Sequence, residues 1–317
     1  MASNFDNKRL LRLINERDYK NILIHKDFKI DIEKVISDIN GVNIDIITSD
    51  LRYTRGKYEK YSKPDLVIYF TNSYDPQVII KKTINEYIKE SDVIIIGEKN
   101  STKRVIKNFK VNKKFYGGDL LVSLIPKQKT ELIDLEKKVL KLKIDDIKLD
   151  FKTQPGLFSY KNIDPGTKFL LENISINSND KVLDFGCGYG VIGLFLAKKY
   201  PKSKISMVDS DLRSLNFSKV NKELNKIKNV SIHPSFLLDN VDEKFDKIIS
   251  NPPTHTKLRL VEKLFKQFKK YLRRKGEIYL VINNIVDYER IAKKYFRNVS
   301  NIKNNNQYKI LKLEKPN

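Results

Sequence analysis

The stretch Val182–Gly190, VLDFGCGYG, decides how the second half of this 317-residue chain folds. A short apolar run ends at Asp184 and Phe185, and glycine then occupies every second position from Gly186. Apolar runs of this length favour a buried strand, and glycine permits the positive backbone angles of a tight turn. Because Val191–Lys199 continues as an apolar helix, the sequence predicts the strand–turn–helix unit that opens a doubly wound α/β fold.

Strands and helices alternate along the rest of this half. The pattern predicts strands at Lys181–Phe185, Lys204–Val208, Val230–His233, Phe245–Ser250 and Glu277–Ile282, and helices at Leu212–Asn225 and Leu258–Leu272. The first half alternates in the same way, with strands at Asp65–Phe70 and Asp92–Gly97, and helices at Pro76–Ile88 and Ser101–Phe109, the second capped by Ser101. It has no glycine-rich turn after a strand. We therefore expect an α/β protein with two tandem Rossmann-like domains, of which the first lacks a cofactor site.

The charged segment from Lys127 to Lys152 is the expected joint between these domains. Within it, Glu131–Leu142 is predicted as a helix and Ile144–Phe151 as a strand. The predicted domains are residues 1–140 and 141–317.

Two carboxylates suggest which ligand the glycine turn holds. Asp184 directly precedes the turn, where it would repel the pyrophosphate of a dinucleotide but can meet the cationic end of S-adenosylmethionine, directly or through water. Asp209 ends the next predicted strand and can accept both hydroxyls of a ribose. Asp211 could compete for that role. The sequence therefore predicts S-adenosylmethionine as the cofactor, with Gly186, Gly188 and Gly190 in the binding turn.

The segment Ser250–Pro253, SNPP, follows the fourth predicted strand of the second half. Two consecutive prolines fix the backbone and remove two amide donors. The Asn251 side-chain oxygen and the Pro252 carbonyl are then free to accept hydrogen bonds from a planar amine, whose nitrogen can face the sulfonium methyl. Asn251, Pro252 and Pro253 are the predicted catalytic residues, with Asn251 also next to the cofactor.

The second half resembles the ribosomal RNA small subunit methyltransferase C family. The matching stretches are Gln154–Ser159, Ile163–Thr167, Leu170-Leu171, Asp184–Gly190, Asp209 and Ser250–Pro253, within residues 151–317. The resemblance implies a methyltransferase that modifies the exocyclic amine of a guanine in rRNA. It also implies that the first half is a degenerate methyltransferase-like domain that helps to recognise RNA.

One residue departs from the family pattern. Thr254 stands where the family has an aromatic that stacks on the flipped base, and His255 follows as in the family. Phe158 and Tyr160 are candidates for the missing ring. His255 is a further predicted catalytic residue, which could contact the base or a phosphate, or could equally be a turn residue that caps the next helix.

For three further residues, the sequence gives weaker support for a role in the site. Ser235 could hydrogen-bond near the adenine of the cofactor, and Phe236 could pack on that ring or belong to the core. Cys187, the single cysteine, is interpreted as a small packing residue, and no metal site is predicted.

The net charge of +23 favours a polyanionic partner. Basic residues gather at Lys257–Lys275, including Lys257 and Arg259, where they form either a solvated helix face or a phosphate-binding rim. A similar run comprises Lys99, Lys103, Arg104, Lys107, Lys110, Lys113 and Lys114. No apolar run approaches the about 18 residues of a membrane span. These features predict a cytoplasmic, RNA-binding enzyme, with a monomer favoured.

Three alternatives stay open at this point. The substrate could be a guanine in tRNA. It could be another planar amine, in adenine or protein glutamine. Finally, the chain could be a non-catalytic RNA-binding assembly factor.

Overall fold

The computed structural model describes residues 7–26, 43–47, 63–71, 77–117, 119–131, 133, 135–253, 258–284 and 288–315. The chain divides into two compact units, residues 1–136 and 137–317. Within the described ranges, no helix is long and apolar enough to cross a membrane.

The first unit is built on a six-stranded sheet. Its elements are α1 (Asn7–Asn15), β1 (Asn21–Lys26), β2 (Asn43–Ile47), β3 (Leu66–Phe70), α2 (Gln77–Tyr87), β4 (Asp92–Glu98), α3 (Lys99–Ile106), β5 (Lys113–Gly117) and β6 (Leu120–Ile125). The strand order is β2-β1-β3-β4-β6-β5. The first four strands are parallel, and β6 runs antiparallel to both β4 and β5. Strand β3 is buried along its whole length, as its continuous apolar sequence predicts.

The second unit carries a seven-stranded sheet and a separate hairpin. Its elements are β7 (Lys138–Ile144), β8 (Ile147–Thr153), α4 (Pro165–Asn173), β9 (Lys181–Phe185), α5 (Val191–Lys199), β10 (Lys204–Asp209), α6 (Leu212–Leu224), β11 (Val230–Pro234), β12 (Phe245–Ser250), α7 (Leu258–Tyr271), β13 (Leu272–Asn283), α8 (Tyr288–Ala292), β14 (Asn298–Asn304) and β15 (Tyr308–Glu314). The order is β11-β10-β9-β12-β13-β15-β14, and β15 runs antiparallel to both of its neighbours.

The two sheets share one topology. When the outermost strand β11 is left out, the second sheet reads in the same order as the first, with β9 in the place of β1 and β12 in the place of β3. In both sheets the last-but-one strand is the antiparallel one. The prediction of two tandem Rossmann-like α/β domains is therefore confirmed.

Apolar side chains cover both faces of the second sheet. Helix α5 is buried from Val191 to Ala197, because it lies over the sheet as its continuous apolar sequence predicts. Helix α7 buries one stripe instead, which includes Val261, Phe265 and Phe268. These two helices belong to two different apolar clusters.

The secondary structure predicted within the joint is wrong. Residues predicted as the helix Glu131–Leu142 include most of β7, and the predicted strand Ile144–Phe151 is interrupted by the turn of a hairpin between β7 and β8. From Leu140 to Ile144 in β7, lysines alternate with apolar residues, a period of two that favours a strand over a helix. Asp145 takes a φ of 51°, which permits the tight turn. The cap predicted at Ser101 is also wrong, since α3 begins at Lys99 after Glu98.

Two asparagines, Asn221 in α6 and Asn225 at its C-cap, hold this hairpin. Asn221, fully buried, accepts a hydrogen bond from Lys152 N at 2.7 Å and donates to the carbonyls of Lys152 and Tyr189 at 3.0 and 2.9 Å. Asn225 makes a similar pair of bonds to the backbone of Asp150, at 3.0 and 2.8 Å. The hairpin is therefore joined through Asn221 to the glycine turn that contains Tyr189.

Candidate active site

The predicted site residues meet at the carboxyl ends of three adjacent parallel strands. Strand β9 lies between β10 and β12. Asp184 pairs in register with Ile249, two positions before Asn251, and Phe185 pairs with Val208, the position before Asp209. In open α/β sheets this edge is where ligands bind.

The glycine turn after β9 is anchored to the neighbouring strand. The backbone amides of Gly186 and Cys187 both donate to the Val208 carbonyl, at 2.9 and 3.0 Å. Gly186 and Gly188 have φ values of 71° and 57°, and open space surrounds the place where a side chain would begin. A ligand can therefore approach the backbone closely at these two positions.

Gly190 has a different reason to be glycine. Its φ is 103°, and a Cβ there would lie 3.0 Å from Leu194 and 3.1 Å from Met207. This residue therefore serves the packing of α5 against β10 and is not an open face of the turn.

Asp184 is fully buried beneath the turn. Its Oδ2 accepts a hydrogen bond from Gly193 N at 2.8 Å, whereas its Oδ1 has no hydrogen-bond partner. The pKa of Asp184 is raised to about 8, mainly by burial; the hydrogen bond from the Gly193 amide lowers it, and the charge of Asp209 adds to the rise. A buried carboxyl oxygen without a partner fits a site that takes a cationic group or a water bound to it.

Asp209 faces the turn from the end of β10. Its Oδ2 accepts from Gly188 N at 2.8 Å, and its Oδ1 accepts from Asp211 N at 2.9 Å. These two bonds orient the carboxylate toward the turn. Asp211 instead caps α6 by accepting from Arg213 N at 2.9 Å, and it forms an ion pair with the same arginine. Of the two, Asp209 is the carboxylate that faces the turn.

Asn251 follows β12 and has a fixed side-chain amide. Its Nδ2 donates to Asp164 Oδ2 at 2.8 Å and to Thr167 Oγ1 at 2.9 Å. Both amide hydrogens are used, and no hydrogen bond to its Oδ1 is seen in the described part of the chain. The acceptor predicted from the sequence is therefore available.

The prolines behave differently from each other. Pro252 is buried, and among the described residues its carbonyl accepts no hydrogen bond. The Pro253 carbonyl accepts from the Tyr288 hydroxyl at 3.0 Å. Ser250, just before, donates to the Phe185 carbonyl at 2.7 Å, which ties the end of β12 to the end of β9. Asn251 Oδ1 and the Pro252 carbonyl are thus the acceptors that this segment offers.

The structure brings Asp164 and Thr167 into the site, although sequence reasoning did not select them as site residues. Asp164 is the N-cap of α4, and its Oδ2 accepts from Thr167 N at 2.7 Å. Aspartate followed by proline at the first helical position is a sequence signal for a helix start. That signal locates the cap, but it gives no indication that the capping oxygen also reaches Asn251, 87 positions along the chain.

Ser235 and Phe236 lie beyond β11. Ser235 is buried, and its Oγ accepts from Asn240 N at 3.3 Å, so its hydroxyl stabilises a local turn. Phe236 is partly buried against the core, with Lys263 Nζ 5.7 Å from the centre of its ring. Cys187 is buried in the core, where burial raises the pKa of its thiol well above the ordinary value.

The two candidate aromatic residues differ in exposure. Phe158 is 63% exposed, whereas Tyr160 packs partly against the core. Their segment reaches the glycine turn, because the Tyr189 hydroxyl donates to the Ser159 carbonyl at 3.4 Å. Thr254, His255 and Lys257 lie outside the described residues. Arg259, at the start of α7, is exposed.

Some residues of the two basic runs form ion pairs or cation–π contacts. Arg273 belongs to β13 rather than to the end of α7, and it pairs with Asp246 at 2.9 Å. In the first unit, Lys99 and Lys103 lie over the ring of the exposed Tyr116, at 5.1 and 5.8 Å from its centre. Both runs leave other cations in solvent.

The family model for the methyltransferase small domain matches residues 148–312, which is just over half of the chain. The chain belongs to this family. The resemblance predicted from the sequence is therefore confirmed, and the matched residues include the carboxyl edge described above.

Individual relatives carry a more specific name. The ribosomal RNA small subunit methyltransferase C of Psychromonas ingrahamii is 33% identical over 178 residues, covering 55% of this chain and 51% of the relative. The protein of the same name from Hamiltonella defensa is 27% identical over 267 residues, covering 78% and 76%. The chain spans about half the length of the relative from Psychromonas ingrahamii and of the relatives of the same name from Buchnera aphidicola.

A solved structure shares the fold over nearly the whole chain. The 16S rRNA N2 methyltransferase of T. thermophilus, in complex with AdoMet and guanosine, superimposes with a TM-score of 0.77 at 20% identity. The match covers 93% of this chain and 88% of that one. The presence of two such domains in one chain is therefore shared with a known protein.

Proposed function

We propose that this chain transfers a methyl group from S-adenosylmethionine to the exocyclic amine of a guanine in RNA, most directly in rRNA. The fixed amide of Asn251 is the observation that carries the proposal. Because its nitrogen is bound by Asp164 and Thr167, its oxygen is left to accept. An exocyclic amine has two N–H groups, and Asn251 Oδ1 and the Pro252 carbonyl are two acceptors next to each other in the chain.

The residues at the glycine turn fit the cofactor. Gly186 and Gly188 leave open space at the backbone, Asp184 has an oxygen without a partner, and the Asp209 carboxylate can accept ribose hydroxyls. When bound, S-adenosylmethionine supplies a sulfonium methyl group, which bonds to the amine nitrogen as its carbon–sulfur bond breaks, leaving S-adenosylhomocysteine. Asn251 and Pro252 hold the two amine hydrogens, which aims the nitrogen lone pair and favours the proton loss that completes the transfer.

RNA as the substrate is supported by charge and by the names of the relatives. The net charge of +23 favours a polyanion, and Phe158 and Arg259 are exposed in the catalytic unit. Relatives are rRNA methyltransferases, and the T. thermophilus enzyme was solved with guanosine. In this proposal the first unit serves RNA recognition. A cytoplasmic location and a monomeric state stay predictions.

The test uses cofactor with a labelled methyl group. The full chain is incubated separately with rRNA, ribosomal subunits, tRNA, DNA and protein, and each substrate is then digested to nucleosides or amino acids. We expect label in N2-methylguanosine from rRNA or from a subunit. Label in tRNA guanine, in adenine or in glutamine would replace the substrate, and RNA binding without any transfer would favour an assembly factor.

A further inference from the structure

The side-chain amide of Asn251 could in principle adopt two orientations. Rotation by half a turn about its last bond exchanges the oxygen with the NH2 group, and both fit the same space. The surroundings distinguish them here. Asp164 Oδ2 and Thr167 Oγ1 lie 2.8 and 2.9 Å from the nitrogen. In the reverse orientation, the amide oxygen would face a carboxylate oxygen at that distance, which costs a hydrogen bond and adds repulsion.

Asp164 is itself held in place by the start of α4. Its Oδ2 also accepts from Thr167 N at 2.7 Å, and Pro165 fixes the backbone that follows. Gly166 allows Tyr308 to pack closely, because a Cβ at that position would lie 2.9 Å from the Tyr308 ring and 3.1 Å from Asp164 Oδ2. One carboxyl oxygen therefore caps the helix and orients Asn251 together.

Asp164 affects the Asn251 amide through its charge as well as through its position. Within the described residues, no lysine or arginine forms an ion pair with Asp164. Its charge acts on two neighbouring titratable groups, the hydroxyls of Tyr189 and Tyr308. Burial, followed by the charge of Asp164, raises the pKa of both tyrosines. An N–H group that donates to an anion leaves its amide oxygen more negative and a better acceptor.

We propose that Asp164 and Thr167 are positioning residues, which hold Asn251 so that only its oxygen faces the methyl acceptor. The inference rests on the proposed function and deepens it. It makes the site selective for groups that donate hydrogen bonds, such as an amine, and unfavourable for a bare ring nitrogen. Neither residue needs to touch the substrate.

Two pairs of variants separate this role from plain helix capping. Thr167→Val removes the hydroxyl that Asn251 contacts but keeps the backbone N–H that Asp164 caps, and Thr167→Ser restores a hydroxyl. Asp164→Ala removes the cap and the contact, whereas Asp164→Asn keeps an oxygen that can accept both bonds without the charge.

The first readout is the methylation rate on the substrate that the wild-type chain modifies. We expect kcat to fall about tenfold for Thr167→Val and about 10- to 100-fold for Asp164→Ala, with Asp164→Asn between Asp164→Ala and the wild type. Thr167→Ser should stay within about twofold of the wild type, since its hydroxyl is retained. The calorimetric Kd for S-adenosylmethionine should not change, because these variants leave the glycine turn, Asp184 and Asp209 intact.

The second readout needs no substrate. In protein labelled with 15N-asparagine, the side-chain NH2 signal that disappears in Asn251→Ala is assigned to Asn251. Its hydrogens should exchange slowly with solvent in the wild type and in Thr167→Ser, and faster in Thr167→Val. This measurement also remains usable if Asp164→Ala does not fold.

The outcomes separate the two proposals. If the wild-type chain methylates no amine, the proposed function fails, whatever the amide signal shows. The positioning role is overturned if folded Thr167→Val keeps the wild-type kcat. It is equally overturned if Thr167→Ser falls as far as Thr167→Val, or if the Asn251 hydrogens exchange at the same rate in all variants.

Discussion

The two sheets share one order over six strands but differ in the polar residues at the carboxyl ends of those strands. In the first sheet, Asp65 and Asp92 lie at the amino ends of β3 and β4 and hold neighbouring segments together. The second sheet has such a carboxylate too, since Asp246 near the start of β12 accepts from Lys181 N at 2.9 Å. In addition it places Asp184, Asp209 and Asn251 at the carboxyl ends.

This difference shows what distinguishes a scaffold from a site in this fold. The carboxylates at the amino ends accept hydrogen bonds from backbone amides or form ion pairs with arginines of the same unit. At the carboxyl ends of the second sheet, Asp184 and Asn251 each keep one oxygen without a partner in the described part of the chain. After β3, the equivalent edge of the first sheet continues into Thr71, whose buried hydroxyl has no partner in the described residues either. The two edges therefore differ in the convergence of several polar groups beside an open glycine turn, and not in the presence of a single unpartnered oxygen.

The largest effect is expected where the two edges differ most. Asn251→Ala should lower kcat about 10²- to 10³-fold, because it removes an acceptor aimed at the reacting amine. Thr71→Ala is the matched control, since Thr71 follows β3 as Asn251 follows β12. The rate constant for methyl transfer of this variant, measured in single-turnover assays, should equal that of the wild type. A comparable loss in both variants would contradict the assignment of the site to the second sheet.

The next prediction concerns Asp184 and pH. Its pKa of about 8 in the folded protein exceeds the ordinary value of 3.8, so the folded protein binds more protons between those two values. Stability should therefore fall as the pH rises through this window, by about 1.4 kcal/mol per pH unit at most. The measurement is urea unfolding of the cofactor-free chain from pH 5 to 8, with Asp184→Asn as the reference. If the free energy of unfolding changes with pH in the same way in both proteins, the raised pKa of Asp184 is refuted.

A smaller effect, on stability alone, is expected in the first unit. Asp92 accepts from the Tyr19 hydroxyl at 2.7 Å and from Lys127 N at 2.8 Å, and it pairs with Arg17. Asp92→Ala should destabilise this unit by about 2 kcal/mol, because it leaves these donors without an acceptor. Denaturant unfolding measures the loss, and calorimetry should give an unchanged Kd for S-adenosylmethionine. A weakened cofactor affinity would mean that the amino-end network is not purely structural.

The smallest effect is expected for single surface cations. Arg259→Ala in the second unit and Arg104→Ala in the first should each lower RNA affinity only a few-fold, and each should reduce the slope of log K against log salt by about one. Fluorescence titrations between 50 and 200 mM salt, values at which such slopes are resolved, measure both. If Arg104→Ala leaves the slope unchanged, that position of the first unit does not contact RNA phosphate.

Much of the fold could be predicted, because buried strands and the glycine turn leave strong local patterns. Strand β3 is continuously apolar, and the stripe of α7 has a clear helical period. The hairpin of β7 and β8 was missed because its lysine-rich strand resembles a charged helix in composition, and only the period of two identifies it. The antiparallel strands β14 and β15 were not predicted either, since β14 is mostly exposed and polar.

The site was predictable only as far as single residues carry its chemistry. Asp184, Asp209 and Asn251 follow strands, so their convergence follows from the parallel order of the sheet. The contact between Asp164 and Asn251 could not be predicted, because it depends on where the start of α4 packs. The exposure of Phe158 is likewise a property of the fold and not of the segment that contains it.

The bonds from Asn221 set a practical limit on how this protein can be divided. A fragment that starts at Gln154–Ser159, the first stretch that resembles the family, would retain every strand of the second sheet and every residue of the candidate site. It would lack Lys152, however, and two of the three hydrogen bonds of Asn221 would be lost with it. The remaining bond, to Tyr189, would then have to hold the glycine turn next to a newly exposed apolar surface. An expression fragment of the catalytic unit should therefore begin before Lys138.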